Sequence, residues 1–171
     1  RLAATVRQVQ RGAHWMRLRD QMGGAFDSAG FEYGDEVSHD WIEQTADIAY
    51  PPVWEIKTQA ALKKAINDFQ FQKMEAVEAL KEYCLFERKM YLRAVPRRGY
   101  LIVNPSDHTR AAVDDGMTLV SRGFKKTMEG LHNVNVCMLS QDEICKHAEV
   151  AARFGSLQMF VSRRSRRIMK G

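Results

Sequence analysis

The chain has 171 residues, a net charge of +5, 45% hydrophobic residues and three cysteines. That length supports a core burying about two thirds of the unfolded surface, while the longest apolar runs, such as YLIV at 100–103, fall far short of the ~20 residues that cross a bilayer as a helix. Cys84, Cys137 and Cys145 form no C-x-x-C pair and leave one over, which argues against a disulfide framework and for a reducing compartment.

Residues 1–19 hold five Arg and no acid, residues 20–52 hold eight acids and no Lys or Arg, and the remainder nets +8. Single-sign segments of this kind steer association with partners of opposite charge. In 1–22, Leu2, Val6, Val9, Ala13 and Met16 recur at helical spacing, which predicts a basic N-terminal helix. An Arg-rich, acid-free amphipathic start has the pattern of an organelle presequence or of the residues just beyond one, and it gives the mitochondrial matrix as the expected location. The four Gly of 23–39 predict a loop.

Asp40 and Glu43 have capping-box spacing and predict a short helix over 41–49, stopped by Pro51 and Pro52. Over 58–92 one apolar stripe runs through Leu62, Ala65, Ile66 and Phe69 and another through Met74, Val77, Leu80 and Cys84. The intervening NDFQF is poor in helix formers, so the segment reads as two antiparallel helices. Pro96, the RRG at 97–99 and Asn104-Pro105 bracket YLIV, which reads as a buried extended connector because no second strand is evident. Val113, Met117, Val120, Phe124, Met128 and Leu131 define the next helix, ending near Gly130; VNVCML at 134–139 is ambiguous. Ser140 and Glu143 form a capping box for a helix through Ile144, Ala148, Ala151 and Phe154. Gly155 then reads as its C-terminal stop before a last helix through Leu157, Phe160, Val161 and Ile168.

These elements predict an all-α protein of at least five helices, with no sheet larger than a hairpin. It is read as a single domain over 1–171 in which a basic helix (1–22) and a loop (23–39) precede stacked helical hairpins (40–171). Phe154-Gly155 before a short amphipathic segment, and the analogous break at Phe71-Gln72, resemble the helix-turn-helix units of pentatricopeptide-like helical-repeat proteins. In size, class and presequence-like start the chain is also similar to the accessory subunit that some protist mitochondrial ATP synthases attach outside the F1 head. That resemblance implies a helical adaptor contacting F1 alpha subunits rather than an RNA reader.

The chemistry-bearing motifs are sparse. GFKKT at 123–127 has the look of the end of a phosphate-binding loop, but Thr118 stands where the first glycine is needed and no strand precedes it. Cys137, Cys145 and His147 match no common zinc spacing, and Asp114-Asp115 point about 100° apart on a helix. No catalytic, cofactor-binding or metal-binding residues are therefore assigned. The expected function is that of a noncatalytic adaptor in a multi-protein mitochondrial assembly, with the F1 part of ATP synthase as its sharpest form. Trp15, Trp41 and Trp54 are the candidate anchors, because aromatics dominate interface energetics. Arg163, Arg164, Arg166 and Arg167 form a basic end suited either to an acidic protein surface or to phosphates. The alternative expectation is accordingly an RNA-binding subunit of a ribosome or an RNA-processing complex.

Overall fold

The structure, a computed structural model, describes residues 2–168, with side chains described from 12 to 161. Its elements are α1 (Leu2–Ala29), β1 (Glu36–Ser38), α2 (His39–Thr45), α3 (Gln59–Phe86), β2 (Tyr91–Val95), β3 (Gly99–Val103), α4 (Pro105–His132) and α5 (Gln141–Ile168), with a single 3-10 turn at Val136–Met138. The protein is mostly helical, as expected, with five α-helices among the described residues and one small antiparallel sheet of order β1-β3-β2. The chain divides into two compact units, 1–109 and 110–171.

In the first unit α1 and α3 pack together and the sheet lies against them. Met22, Phe26, Val37, Ile42, Ala76, Ala79, Leu80, Cys84 and Ile102 are almost wholly removed from solvent. Burying each of the larger side chains among them contributes about 1.5–3 kcal/mol. This packing explains where the helices run past their expected ends. The predicted loop 23–39 begins inside α1, because Met22 and Phe26, one turn apart, are both buried in the core. Gly23 is the point of close approach between the helices: a Cβ there would stand 2.4 Å from the Tyr83 ring of α3. Asp27, in the following turn, accepts hydrogen bonds from the Tyr83 hydroxyl (2.7 Å) and from Arg88 Nε–H (2.8 Å). The Arg88 guanidinium first, and then the Tyr83 hydroxyl, hold the Asp27 carboxyl below its ordinary value of 3.8.

Three further expectations are corrected within this unit. The helix predicted over 41–49 starts at His39, capped by Ser38, whose Oγ accepts from Trp41 N–H at 3.1 Å, and stops at Thr45, before the left-handed Asp47 (φ 53). The two helices expected over 58–92 are one helix of 28 residues, α3, because NDFQF contains neither Gly nor Pro and Phe69 packs edge-on against Tyr50 with ring centroids 5.2 Å apart. YLIV is not a connector. It is most of β3, paired with β2 from Tyr91↔Val103 to Val95↔Gly99 and with β1 from Glu36↔Leu101 to Ser38↔Gly99, so the sheet exceeds a hairpin by one short strand.

In the second unit α4 continues through Gly116, Gly123 and Gly130 to His132, and α5 continues through Gly155. No Cβ obstruction exists at these four glycines, and an interior Gly costs a helix only about 1 kcal/mol relative to Ala, too little to break it. The capping box at Ser140 is realised: Ser140 N–H donates to Glu143 Oε2 at 2.8 Å, and Glu143 N–H donates to Ser140 Oγ at 3.4 Å. The helical hairpin of this unit is therefore α4 with α5, and not the segment 143–171 folded at Gly155. Its half-buried positions, Val113, Met117, Phe124, Met128 and Leu131 on α4 and Ile144, His147, Ala151, Phe154 and Val161 on α5, repeat mostly at spacings of three and four. Such spacings place them on one side of each helix. The rings of Phe124 on α4 and Phe154 on α5 meet at 5.0 Å.

Candidate nucleic-acid interface

α3 begins at Thr58, whose Oγ1 accepts from Ala61 N–H at 3.3 Å. Along its first four turns the half-buried positions are Leu62, Ala65, Ile66, Phe69 and Lys73, the last ion-paired to Glu43 of α2. Helical periodicity then turns Lys63, Lys64, Asn67 and Gln70 outward, and all four are exposed. Lys81 follows Lys63 by five full turns and so lies on the same side of the helix. Its ammonium stands 5.2 Å from the centre of the Tyr100 ring on β3. The hairpin β2–β3 thus meets α3 beside Lys81, ~27 Å along the helix axis from Lys63.

The hairpin is built to hold two arginines at its tip. Arg98 N–H closes the turn on Val95 C=O at 3.2 Å, with Pro96 and Arg97 at its corners. Gly99, at φ 150, lets β1 and β3 approach: a Cβ there would stand 2.1 Å from the Val37 carbonyl oxygen. Arg97 adopts φ 66, a left-handed conformation that costs a non-glycine residue roughly 1–2 kcal/mol. Residues 88–106 carry five basic residues and no acid. Of these, Arg88 is committed to Asp27 and Arg98 to Glu36 at 2.8 Å, whereas exposed Arg97 makes no ion pair with another described residue. Arg97 is the third residue of the Val95–Arg98 turn, the position at which a type II turn takes a positive φ.

The other flank of α3 has the opposite character. Leu18, Ile48 and Phe71 form the apolar part of an open groove of about 420 Å³, and Asp47, Asp68 and Glu75 stand around it. Lys64 shares this face of α3, standing four, seven and eleven positions before Asp68, Phe71 and Glu75.

The residues singled out from sequence fall elsewhere. Trp15 and Trp41 pack against the core, Trp41 edge-on to Phe31 with centroids 5.1 Å apart, so neither is an exposed anchor; Trp54 is 81% exposed. Arg163, Arg164, Arg166 and Arg167 belong to the last turns of α5, and their side chains lie outside the described residues. Phe71-Gln72 and Phe154-Gly155, which carried the helical-repeat resemblance, sit inside unbroken helices and form no turn. GFKKT at 123–127 is part of α4, and among the described residues Cys137, Cys145 and His147 form no group able to hold a metal. Lys63, Lys64, Asn67, Gln70 and Arg97 were not picked out by sequence reading; the acid-free basic run around PRRG was the available signal. No protein-family model, curated protein or solved structure matches this chain.

Proposed function

We propose that the chain is a noncatalytic nucleic-acid-binding protein that contacts its ligand through the outer side of α3 and the tip of the β2–β3 hairpin. What supports this reading is Lys63, Asn67 and Gln70 exposed along one side of α3, together with an exposed Arg97 at the tip of the β2–β3 hairpin that makes no ion pair with another described residue. Lysine and arginine supply the phosphate contacts that dominate affinity, and Asn and Gln carry the paired donor and acceptor that can address base edges. Binding of a fluorescently labelled oligonucleotide at two salt concentrations tests it: affinity falls steeply with salt if phosphates are neutralised. No binding at low salt sinks the reading.

A second reading keeps the adaptor role expected from sequence: a subunit of a mitochondrial assembly, with the F1 alpha subunit as its first candidate partner. Exposed apolar residues outside the seam of the α4–α5 hairpin favour it, notably Leu119 at 72%, Met138 at 80%, Val150 and Leu157. Apolar residues on a surface of that kind suit a protein partner better than a polyanion. Recovery of F1 subunits with the full chain, abolished on replacing Leu119, Val150 and Leu157 by Gln, supports this role. Failure to recover any F1 subunit removes its sharpest form.

A further inference from the structure

Independently of either functional reading, we infer that the α4–α5 hairpin is a self-association surface, on which a second copy of this chain docks face to face and antiparallel to form a four-helix bundle. The hairpin closes no core of its own. Among the described residues from 110 onward Ala111 alone is buried, and the apolar residues along one side of each helix stay half-exposed, Phe124 and Phe154 included. A unit spanning only 110–171 with so little buried needs further apolar contact, and oligomerisation is the usual source of it.

One broad face of the hairpin is apolar. Val120 lies on the flank of α4 that precedes its half-buried side in the helical rotation, and Val150 and Leu157 lie on the corresponding flank of α5. Two antiparallel right-handed helices turn these flanks the same way, so all three residues share a face. They are 40%, 51% and 53% exposed, with Leu119 (72%) at the outer edge. The positions of this flank of α4 from Ala112 to Thr127 carry no charge, whereas Asp114 and Lys125 lie on the other flank.

Charge, area and register select a second copy as the occupant. In α4, residues 105–118 hold three acids and one base, and 119–132 hold three bases and one acid. In α5, residues 141–154 hold three acids and two bases, and 155–168 hold four arginines and no acid. Laid antiparallel on its own copy, each helix sets its acidic half against a basic half, and the arginine-rich ends of the two copies are kept apart. Helices of 28 residues are ~42 Å long and, packed 8–10 Å apart, offer a face ~20 Å wide, on the order of 800 Å² per copy. Two such faces bury about 1,600 Å², the size of a stable interface. The Phe124–Phe154 contact fixes the register of the hairpin: Val120, four residues before one ring, is level with Leu157, three residues after the other. Both stand near the middle of their helices, where a two-fold axis brings like apolar side chains together.

Sedimentation equilibrium of the full chain at micromolar concentration should give twice the 19.6 kDa of one chain. The double variant Val120→Glu/Leu157→Glu puts like charges at the axis and should raise the dimer dissociation constant at least about a hundredfold. Met159→Gln, exposed on the other flank of α5, should leave it unchanged. The orientation is read from spin labels on exposed Cys137 in a Cys145→Ser background, since Cys84 is buried. With the two turns at opposite ends of the bundle the labels should stand ~40–50 Å apart; a separation under ~20 Å, with both turns at one end, overturns the antiparallel docking. A dimer that survives the glutamate variant overturns the choice of face. A wild-type chain that stays monomeric overturns the inference whether or not that variant keeps its helix, and a monomer that recovers F1 subunits through Leu119, Val150 and Leu157 gives the face to the adaptor role instead.

Discussion

Replacing Gly23 and Gly24 by Ala, one at a time, probes the packing of α1 on α3 with a built-in control. The two glycines are neighbours on the same helix, so the gain in helix propensity from removing an interior Gly is the same for both, about 1 kcal/mol. Their surroundings differ. A Cβ at Gly24 meets nothing within 4 Å, whereas a Cβ at Gly23 meets three atoms of the Tyr83 ring at 2.4, 2.4 and 2.7 Å. The ring cannot simply swing away, because its hydroxyl donates to Asp27 on α1 at 2.7 Å and that carboxylate is also held by Arg88. Overpacking at such a point costs about 1–3 kcal/mol. Gly24→Ala should therefore stabilise the protein by up to ~1 kcal/mol, and Gly23→Ala should fall below it by ~1–3 kcal/mol. Urea denaturation followed by circular dichroism measures the difference from the midpoints. Equal stabilisation by both substitutions would refute the close approach at Gly23.

Gly155 lies in the interior of α5 with open space around its Cβ position, so Gly155→Ala should raise the thermal stability of the hairpin; a loss would restore the turn read there from sequence. Burial pushes the Cys84 thiol up to about 12, while Cys137 and Cys145 are exposed. A thiol reagent at mildly alkaline pH should accordingly label two cysteines quickly in the native protein and the third only after denaturation, and three fast thiols would contradict the core packing. The Asp27 carboxyl titrates below 3.8 in the folded protein, so its stabilising effect is complete above that value and lost as pH falls through the lower folded one. The stability gap between the native protein and Asp27→Asn should be flat from neutrality down to that region and then close; a gap that widens on acidification would show the sign to be wrong. At the alkaline end the hydrogen bond to Asp27 raises the Tyr83 hydroxyl above 10.0, so the native protein should lose stability relative to Tyr83→Phe as pH rises through that raised value, readable by the same denaturation series.

The helical character was legible because most apolar positions repeat near 3.6, and the Ser140–Glu143 cap was legible because its chemistry is local. The continuity of the helices was not. Gly23 and Gly155 and the weak NDFQF segment read as breaks, yet each is outweighed by turns on either side that carry packed or capped residues. The sheet was hidden for a different reason. β3 needs β1 to complete its pairing, and β1 is a three-residue strand more than sixty positions away whose only strong signal is Val37. The candidate surface was hidden because Lys63 and Arg97 are ordinary exposed residues in sequence, and nothing local marks the packing of the hairpin against α3 at Lys81. A large aromatic is equally suited to an interface and a core, and the sequence alone could not separate Trp15 and Trp41, which pack against the core, from the exposed Trp54.

The central claim, that α3 and the hairpin tip are the face that meets nucleic acid, is tested most directly by hydrogen exchange on the full-length protein with and without a saturating DNA duplex. Protection should appear in peptides covering 59–73 and 93–99 and be absent from 141–161 of α5. Protection confined to α4 and α5, with 59–73 and 93–99 unchanged, would contradict it.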